Sequence, residues 1–259
     1  MGVDGPTIAL CAVMWLGLAA NLAWASMDPD LPVWRHVIHI GLGVLFLNLS
    51  FTVWHEAAHG TVFRSSIGNR VVGVLGAWPA WIPYFLIRRA HFLHHIHAND
   101  PERDPDAWFN AGSIWTLPLR YPAGIRRTKA MVDAAGRPRW ERVADGAQAV
   151  SLLVAFAAIA ALLGPRVLIT CWIIPKAISM WIHALYVNVL PHRDLPSGRF
   201  LDTRTYAAPF LAPLTLMHSL HGVHHAWPNV PWHRYGRLFA ERRRFLEARG
   251  APIVDRMRP

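Results

Sequence analysis

Long uncharged apolar runs alternate along the chain with polar stretches rich in histidine and arginine. Residues 7–27 carry no charge, and at 1.5 Å per residue a helix of that length crosses a ~30 Å hydrocarbon layer. A second run, 37–54, is broken only by His39 and Asn48. The linker between them, 28–36, holds Pro29 and Pro32 and is short enough for a tight turn. Runs 147–163 and 167–187 follow, joined at Gly164-Pro165-Arg166, and Pro175 with Lys176 predicts a kink in the last. Residues 71–87 are apolar but shorter, with Pro79 and Pro83, which suits a re-entrant or interfacial segment better than a span. The pattern predicts an all-α integral membrane protein with four transmembrane helices in two hairpins. It reads as a single membrane-embedded domain over 1–259, without internal repeats. The first run lacks the basic flank of a signal peptide and reads as a retained helix.

Composition supports this. Hydrophobic residues make up 53% and charged residues only 16%, against about a quarter charged in soluble domains. Mean hydropathy is +0.23. A disordered chain, a collagen-like repeat and a disulfide-stapled domain are excluded. Cys11 and Cys171 lie inside apolar runs and read as core or lipid-facing thiols. The net charge of +10 would suggest nucleic acid in a soluble protein, but the basic residues flank the apolar runs, so no nucleic-acid partner is expected. Ten of the 26 Lys and Arg fall within 88–142 and eleven within 193–258, whereas Arg35 alone separates the first two runs and Arg166 alone the last two. The positive-inside rule then puts the middle region and both termini in the cytoplasm, the location of a bacterial inner-membrane protein. The basic stretch 241–249 reads as an interfacial or solvated helix.

Histidine is the outlier, at 15 residues in three main clusters. His55 and His59 follow the second run. His91, His94 and His95 follow the short apolar segment, with His97 just beyond. His221, His224 and His225 follow the fourth run, with His218 one turn earlier. Spacings of three and four put side chains on one helix face. Three such clusters near the ends of spans form a histidine-rich cytoplasmic cap and point to metal, with enough imidazoles for two ions of the Fe, Cu, Ni or Zn kind. His55-Glu56-x-x-His59 is also formally the zinc-protease motif, so a membrane metalloprotease stays open. So does a histidine-rich metal transporter, although transport sites sit near the midplane rather than at an edge.

An H-x3-H box followed by two H-x2-H-H boxes, separated by apolar hairpins, resembles the membrane fatty acid desaturase superfamily. The segments HANDPERDPD (97–106), LPHR (190–193) and HHAWPNVPWHRY (224–235) are most similar to its bacterial β-carotene hydroxylase and ketolase branch. Glu56 stands where many relatives have Asp. The resemblance implies eight metal ligands: His55, His59, His91, His94, His95, His221, His224 and His225. It adds His192 as a ninth, four residues after Asn188, which would contact metal through a water. His97 and His218 then read as groups supporting the ligand rings, or as structural. Asp100, Asp104 and Asp106 either accept hydrogen bonds from ligand rings or form Asp-Pro turns. His183, inside a run, reads as a structural hydrogen-bonding group, and His36, His39 and His233 as interfacial. Most of the tryptophans, including Trp78, Trp81, Trp172 and Trp181, read as an interfacial belt or bundle packing.

The resemblance further implies a non-haem diiron oxidoreductase. Two irons cycling between Fe2+ and Fe3+ would use O2 to oxidise unactivated C–H bonds of a lipophilic substrate, with hydroxylation of a carotenoid ring as the leading expectation and a fatty-acyl desaturase or hydroxylase as the alternative. Hydroxylation and desaturation differ in how the substrate sits, and the ligand set is common to both. No G-x-G-x-x-G or C-x-x-C-H motif is present, so electrons are expected from a separate ferredoxin-like donor.

Overall fold

The computed structural model describes residues 2–27 and 32–255; the turn expected at 28–31 lies outside them. In chain order the helices are α1 (Gly5–Ser26), α2 (Val33–His59), α3 (Ser66–Ala77), α4 (Tyr84–His97), α5 (Leu117–Ala134), α6 (Arg139–Leu163) and α7 (Pro165–His192), followed by the short α8 (Leu211–Leu214), α9 (His221–Ala226) and α10 (Tyr235–Ala248). Four of them, α1, α2, α6 and α7, are long and apolar enough to cross a membrane.

These helices outrun the apolar stretches that announced them. α2 continues past Trp54 through His55 and His59 and stops at Gly60, whose φ of 73° is the left-handed cap glycine accepts without penalty. The first histidine pair is therefore on the spanning helix itself. α6 begins at Arg139, ahead of the apolar run, because its first turns are amphipathic and bury Glu141 and Asp145. Those turns have a task. Asp145 accepts from the Phe85 N–H at 3.0 Å and Gln148 from the Tyr84 N–H at 3.2 Å, satisfying donors that the first turn of α4 leaves open.

The expected re-entrant segment 71–87 is not one element. It divides into the end of α3, a reversal through Trp81 at φ 58°, and the start of α4. Pro79 and Pro83, which lack an N–H, fall in the reversal and interrupt helix there.

The chain forms two compact units: residues through Phe85 with Arg139–Ile182, and Leu86–Pro138 with His183 onward. In the first, helices approach closely at glycines, as membrane helices do. A Cβ on Gly43 would lie 2.6 Å from Pro175 and 2.7 Å from the Cys171 carbonyl, and one on Gly76 2.7 Å from the Trp54 backbone. One pair of polar side chains is matched between helices. His39 was expected at the interface but is fully buried, its Nδ1 2.7 Å from Asn21 Oδ1 while Asn21 Nδ2 donates to the His39 carbonyl at 3.0 Å. An apolar stretch of α1 conceals its polar partner, which is why hydropathy alone misplaced this ring. Trp78 and Trp172, 5.8 Å apart, pack with Trp15 and Phe156 in the bundle, and Trp172 donates to the Pro79 carbonyl at 2.8 Å.

α7 widens into π-helical turns at Ile169–Ile173 and Ala184–Val189, each followed within two residues by a proline, Pro175 or Pro191. A proline ring clashes with the carbonyl four residues back, and a wider turn relieves this. At Pro175, where the sequence predicts a kink, the helix carries such a wide turn just before the proline.

In the second unit α9 and α10 pack around Leu220, Val223, Ala226, Tyr235 and Leu246. The chain is mostly helical, as expected of an all-α fold, and the small sheet among the described residues pairs β1 (Thr205–Tyr206) in parallel with β2 (Ile253–Val254). Two-residue strands carry no alternation that a sequence pattern reveals.

Candidate metal centre

The second unit gathers seven of the nine candidate ligands: His91, His94 and His95 on α4, His192 at the end of α7, and His221, His224 and His225 on α9. Within it, ring nitrogens of His94, His192, His221 and His225 lie no more than 4.8 Å from one another. An ion about 2 to 2.4 Å from each nitrogen fits such a set. Two of these nitrogens, His192 Nε2 and His225 Nε2, are buried with no hydrogen-bond partner, a costly state that coordination would resolve.

The opposite ring nitrogens explain the aim. His94 Nδ1–H donates to Asp104 Oδ1 at 3.0 Å, and His192 Nδ1–H to the Asp202 carbonyl at 3.1 Å. His224 Nδ1 sits 2.8 Å from the Tyr235 hydroxyl. An oxygen on Nδ1 selects the tautomer that leaves Nε2 for metal. The remaining Nε2 atoms converge: His95 lies 3.1 Å from His91 and 2.9 Å from His224. His95 also stands 4.4 Å, ring to ring, from His225, so it links the quartet to the His91–His224 pair.

Local sequence builds this. After α4 the chain reverses at Asn99, φ 65°, a left-handed position that asparagine tolerates. The Asn99 and Asp106 N–H groups donate to the Asp104 carboxylate at 2.9 and 2.8 Å, fixing it against His94. Asp104 is thus hydrogen-bonded to the His94 ring. Asp100 instead closes a turn, accepting from the Glu102 and Arg103 N–H groups at 3.0 Å. On the other side, consecutive left-handed residues Leu216 and Met217 (φ 47° and 65°) reverse the chain into His218 and α9. Such positions cost roughly 1–3 kcal/mol each.

Charge differs around the cluster. Burial opposes a proton on His94, but the charge and hydrogen bond of Asp104, with Asp106 and Asp202 behind, raise it to about 9. Burial, then the neighbouring rings of His95, His221, His192 and His94, hold His225 well below its ordinary value, hence neutral and ready to donate a lone pair. Burial pushes the Asp106 carboxyl up, against the pull of His94.

His55 and His59 belong to the first unit. Their rings are 4.8 Å apart on the last turns of α2, and His55 is fully buried. Glu56, the general base of the protease reading, accepts from the Thr61 hydroxyl at 2.8 Å and lies 3.4 Å from His55 Nδ1. The Thr61 contact holds its carboxylate at the helix end. Asn188 is half-buried in the second wide turn of α7, one turn before His192. His218 is buried with its ring facing Tyr235 at 6.3 Å, and His97, half-buried at the end of α4, is outside the converging set. Sequence reasoning missed Tyr235 and Asp202. Tyr235 had a signal, since it closes the 224–235 segment; Asp202 had none.

Four helices long and apolar enough to cross a membrane, together with a group of histidines that could hold a metal ion, point to a membrane protein with a candidate metal centre. The model for the fatty acid desaturase family matches residues 32–256, and the chain belongs to that family. It is 25% identical over 223 residues to a dihydrorhizobitoxine desaturase of Bradyrhizobium elkanii, covering 70% of this chain and 60% of that one. It is 28% identical over 243 residues to a zeaxanthin 4-ketolase of Chlamydomonas reinhardtii, covering 87% and 50%. An sn-1 acyl-lipid omega-3 desaturase (ferredoxin) of Synechocystis is 26% identical over 206 residues, covering 74% and 50%. The chain thus spans half to three-fifths of the length of these curated relatives.

Proposed function

We propose that this protein is an O2-dependent membrane diiron oxygenase acting on C–H bonds of a lipophilic substrate, with a carotenoid ring as the leading substrate. The observation that carries the reading is the quartet His94, His192, His221 and His225, whose buried nitrogens lie within 4.8 Å of one another. Nine histidines, His55, His59, His91, His94, His95, His192, His221, His224 and His225, would hold two irons, and Asn188 would contact one through water. When bound, the irons supply the O2 activation that amino-acid side chains lack. Asp104, the Asp202 carbonyl and Tyr235 keep the rings turned.

In this reading the chain works as one membrane-embedded domain of two helical hairpins, with both termini and the metal site cytoplasmic in a bacterial inner membrane. The asymmetry of Lys and Arg supports that orientation. A separate ferredoxin-like protein supplies electrons. Ring oxidation would first give an alcohol; a second oxidation at the same carbon, with loss of water, gives a ketone. The ketolase relative and the segments at 97–106 and 224–235 support a carotenoid. The acyl-lipid desaturase relative, of comparable identity, supports the second reading, a fatty-acyl desaturase or hydroxylase.

Expression in a β-carotene-producing host with a supplied ferredoxin and reductase separates them. The expected result is a more polar, oxygenated carotenoid. Unchanged carotenoids alongside new double bonds or hydroxyls in acyl chains would replace the first substrate with the second. Stoichiometric zinc in place of iron would overturn both.

A further inference from the structure

We propose that a cavity in the second unit is the inlet through which divalent iron reaches the histidine cluster, with His97 as the transit ligand on its wall. The inference rests on the metal-centre reading above. The quartet is buried: His94, His192 and His221 are at most 4% exposed. A divalent cation does not cross an apolar interior, so its path must offer water or replacement donors throughout.

A cavity of about 360 Å3 meets that need. It is lined by His95 and His225, by His97, Asp100 and Asp202, and by Ser197. Burial falls along this lining, from His225 and Asp202, through half-buried His97 and Asp100, to exposed Ser197, so the cavity runs from the surface to two candidate ligands. His225 Nε2, buried and without a partner, lies at the deep end. None of the lining belongs to the four spanning helices, and imidazoles and carboxylates are part of it.

The donors are imidazoles and carboxylates, the types that suit Fe2+. Two guanidiniums also line the cavity. Arg103 is held by Asp100 at 2.6 Å, and Arg199 lies over the Phe200 ring at 5.1 Å. With Asp100 engaged by Arg103 and Asp202 placed beside His225, His97 is the accessible donor between mouth and cluster. This also accounts for a histidine that follows the second box yet stays out of the converging set.

The test is iron uptake by the purified full-length protein after chelator stripping, with Fe2+ added anaerobically and both the uptake rate and final iron content measured. His97→Ala is expected to slow uptake by about fivefold or more while final iron stays at two per chain. Ser197→Trp, which plugs the mouth, is expected to slow it as well. Unchanged rates in both variants overturn the inlet while leaving the centre intact. A lower final iron content in His97→Ala also overturns it, by making His97 a resident ligand. A parent protein that takes up no iron would instead sink the metal-centre reading.

Discussion

The Tyr235 hydroxyl lies 2.8 Å from His224 Nδ1, and the opposite nitrogen of that ring lies 2.9 Å from His95 Nε2. A fully buried tyrosine at the start of α10 thus sets the direction of a candidate ligand on α9. Tyr235→Phe keeps the ring's packing and removes one oxygen. Iron affinity is expected to fall by about tenfold, with little change in thermal stability. Equal iron affinity in a competition against a chelator would remove Tyr235 from the support of the site.

Asp104 gathers three donors, the Asn99 and Asp106 N–H groups and His94. Asn has one acceptor oxygen in place of two, so Asp104→Asn must abandon part of this set. Iron affinity should drop by about 10- to 100-fold, whereas Glu241→Gln, on the exposed face of α10, should leave it unchanged. In metal-stripped protein the sign is defined. The folded-state value of His94, about 9, lies above its ordinary 6.5, so the pair with Asp104 stabilises fully below pH 6.5 and loses its effect as pH rises through about 9. Thermal unfolding of the stripped parent should show that loss, and Asp104→Asn should lack it.

Close helix contact at Gly43 leaves no room for a side chain, since the first added carbon would meet Pro175 and the Cys171 carbonyl. Gly43→Leu should destabilise by about 1–3 kcal/mol or more, read as a lower unfolding temperature in detergent. Asn21 and His39 offer a companion measurement. A double-mutant cycle with Asn21→Leu and His39→Leu should give a coupling of about 0.6 to 1.7 kcal/mol; zero coupling would mean the buried pair contributes only packing.

Orientation is checked by labelling. Cysteines placed at Pro32 and Arg166 should react with an impermeant reagent from outside the cell, and those at Lys129 and Arg242 should not. Reaction of Lys129→Cys from outside would invert the assigned topology.

The spanning helices were legible because an apolar run long enough to cross a bilayer has few alternatives. Their ends were not. Polar residues such as Glu141, His55 and His59 continue a helix without any apolar signal, so α6 began earlier and α2 ended later than hydropathy indicated. The second and third boxes were legible for the opposite reason: three- and four-residue spacings put the rings on one face, and in the second unit the rings converge. His39 was misread because its partner Asn21 is a single polar residue in an apolar run, and only three-dimensional proximity reveals the pair. Asp202 acts on His192 through its backbone carbonyl, a contribution every residue carries and no residue type advertises.

The wide turn at Ala184–Val189 has a meaning in the currency of insertions and deletions. Each residue of an α-helix advances the chain by about 100° and 1.5 Å. A π-helical turn therefore behaves as one residue inserted into a regular helix, absorbed locally instead of passed along. Deleting a single residue between 184 and 189 would restore ordinary winding and swing His192 by about 100° relative to the helix before it. The candidate ligand that lies outside the three histidine boxes thus owes its bearing to one surplus residue. In this stretch of α7, a change in chain length should cost more iron than most changes of side chain.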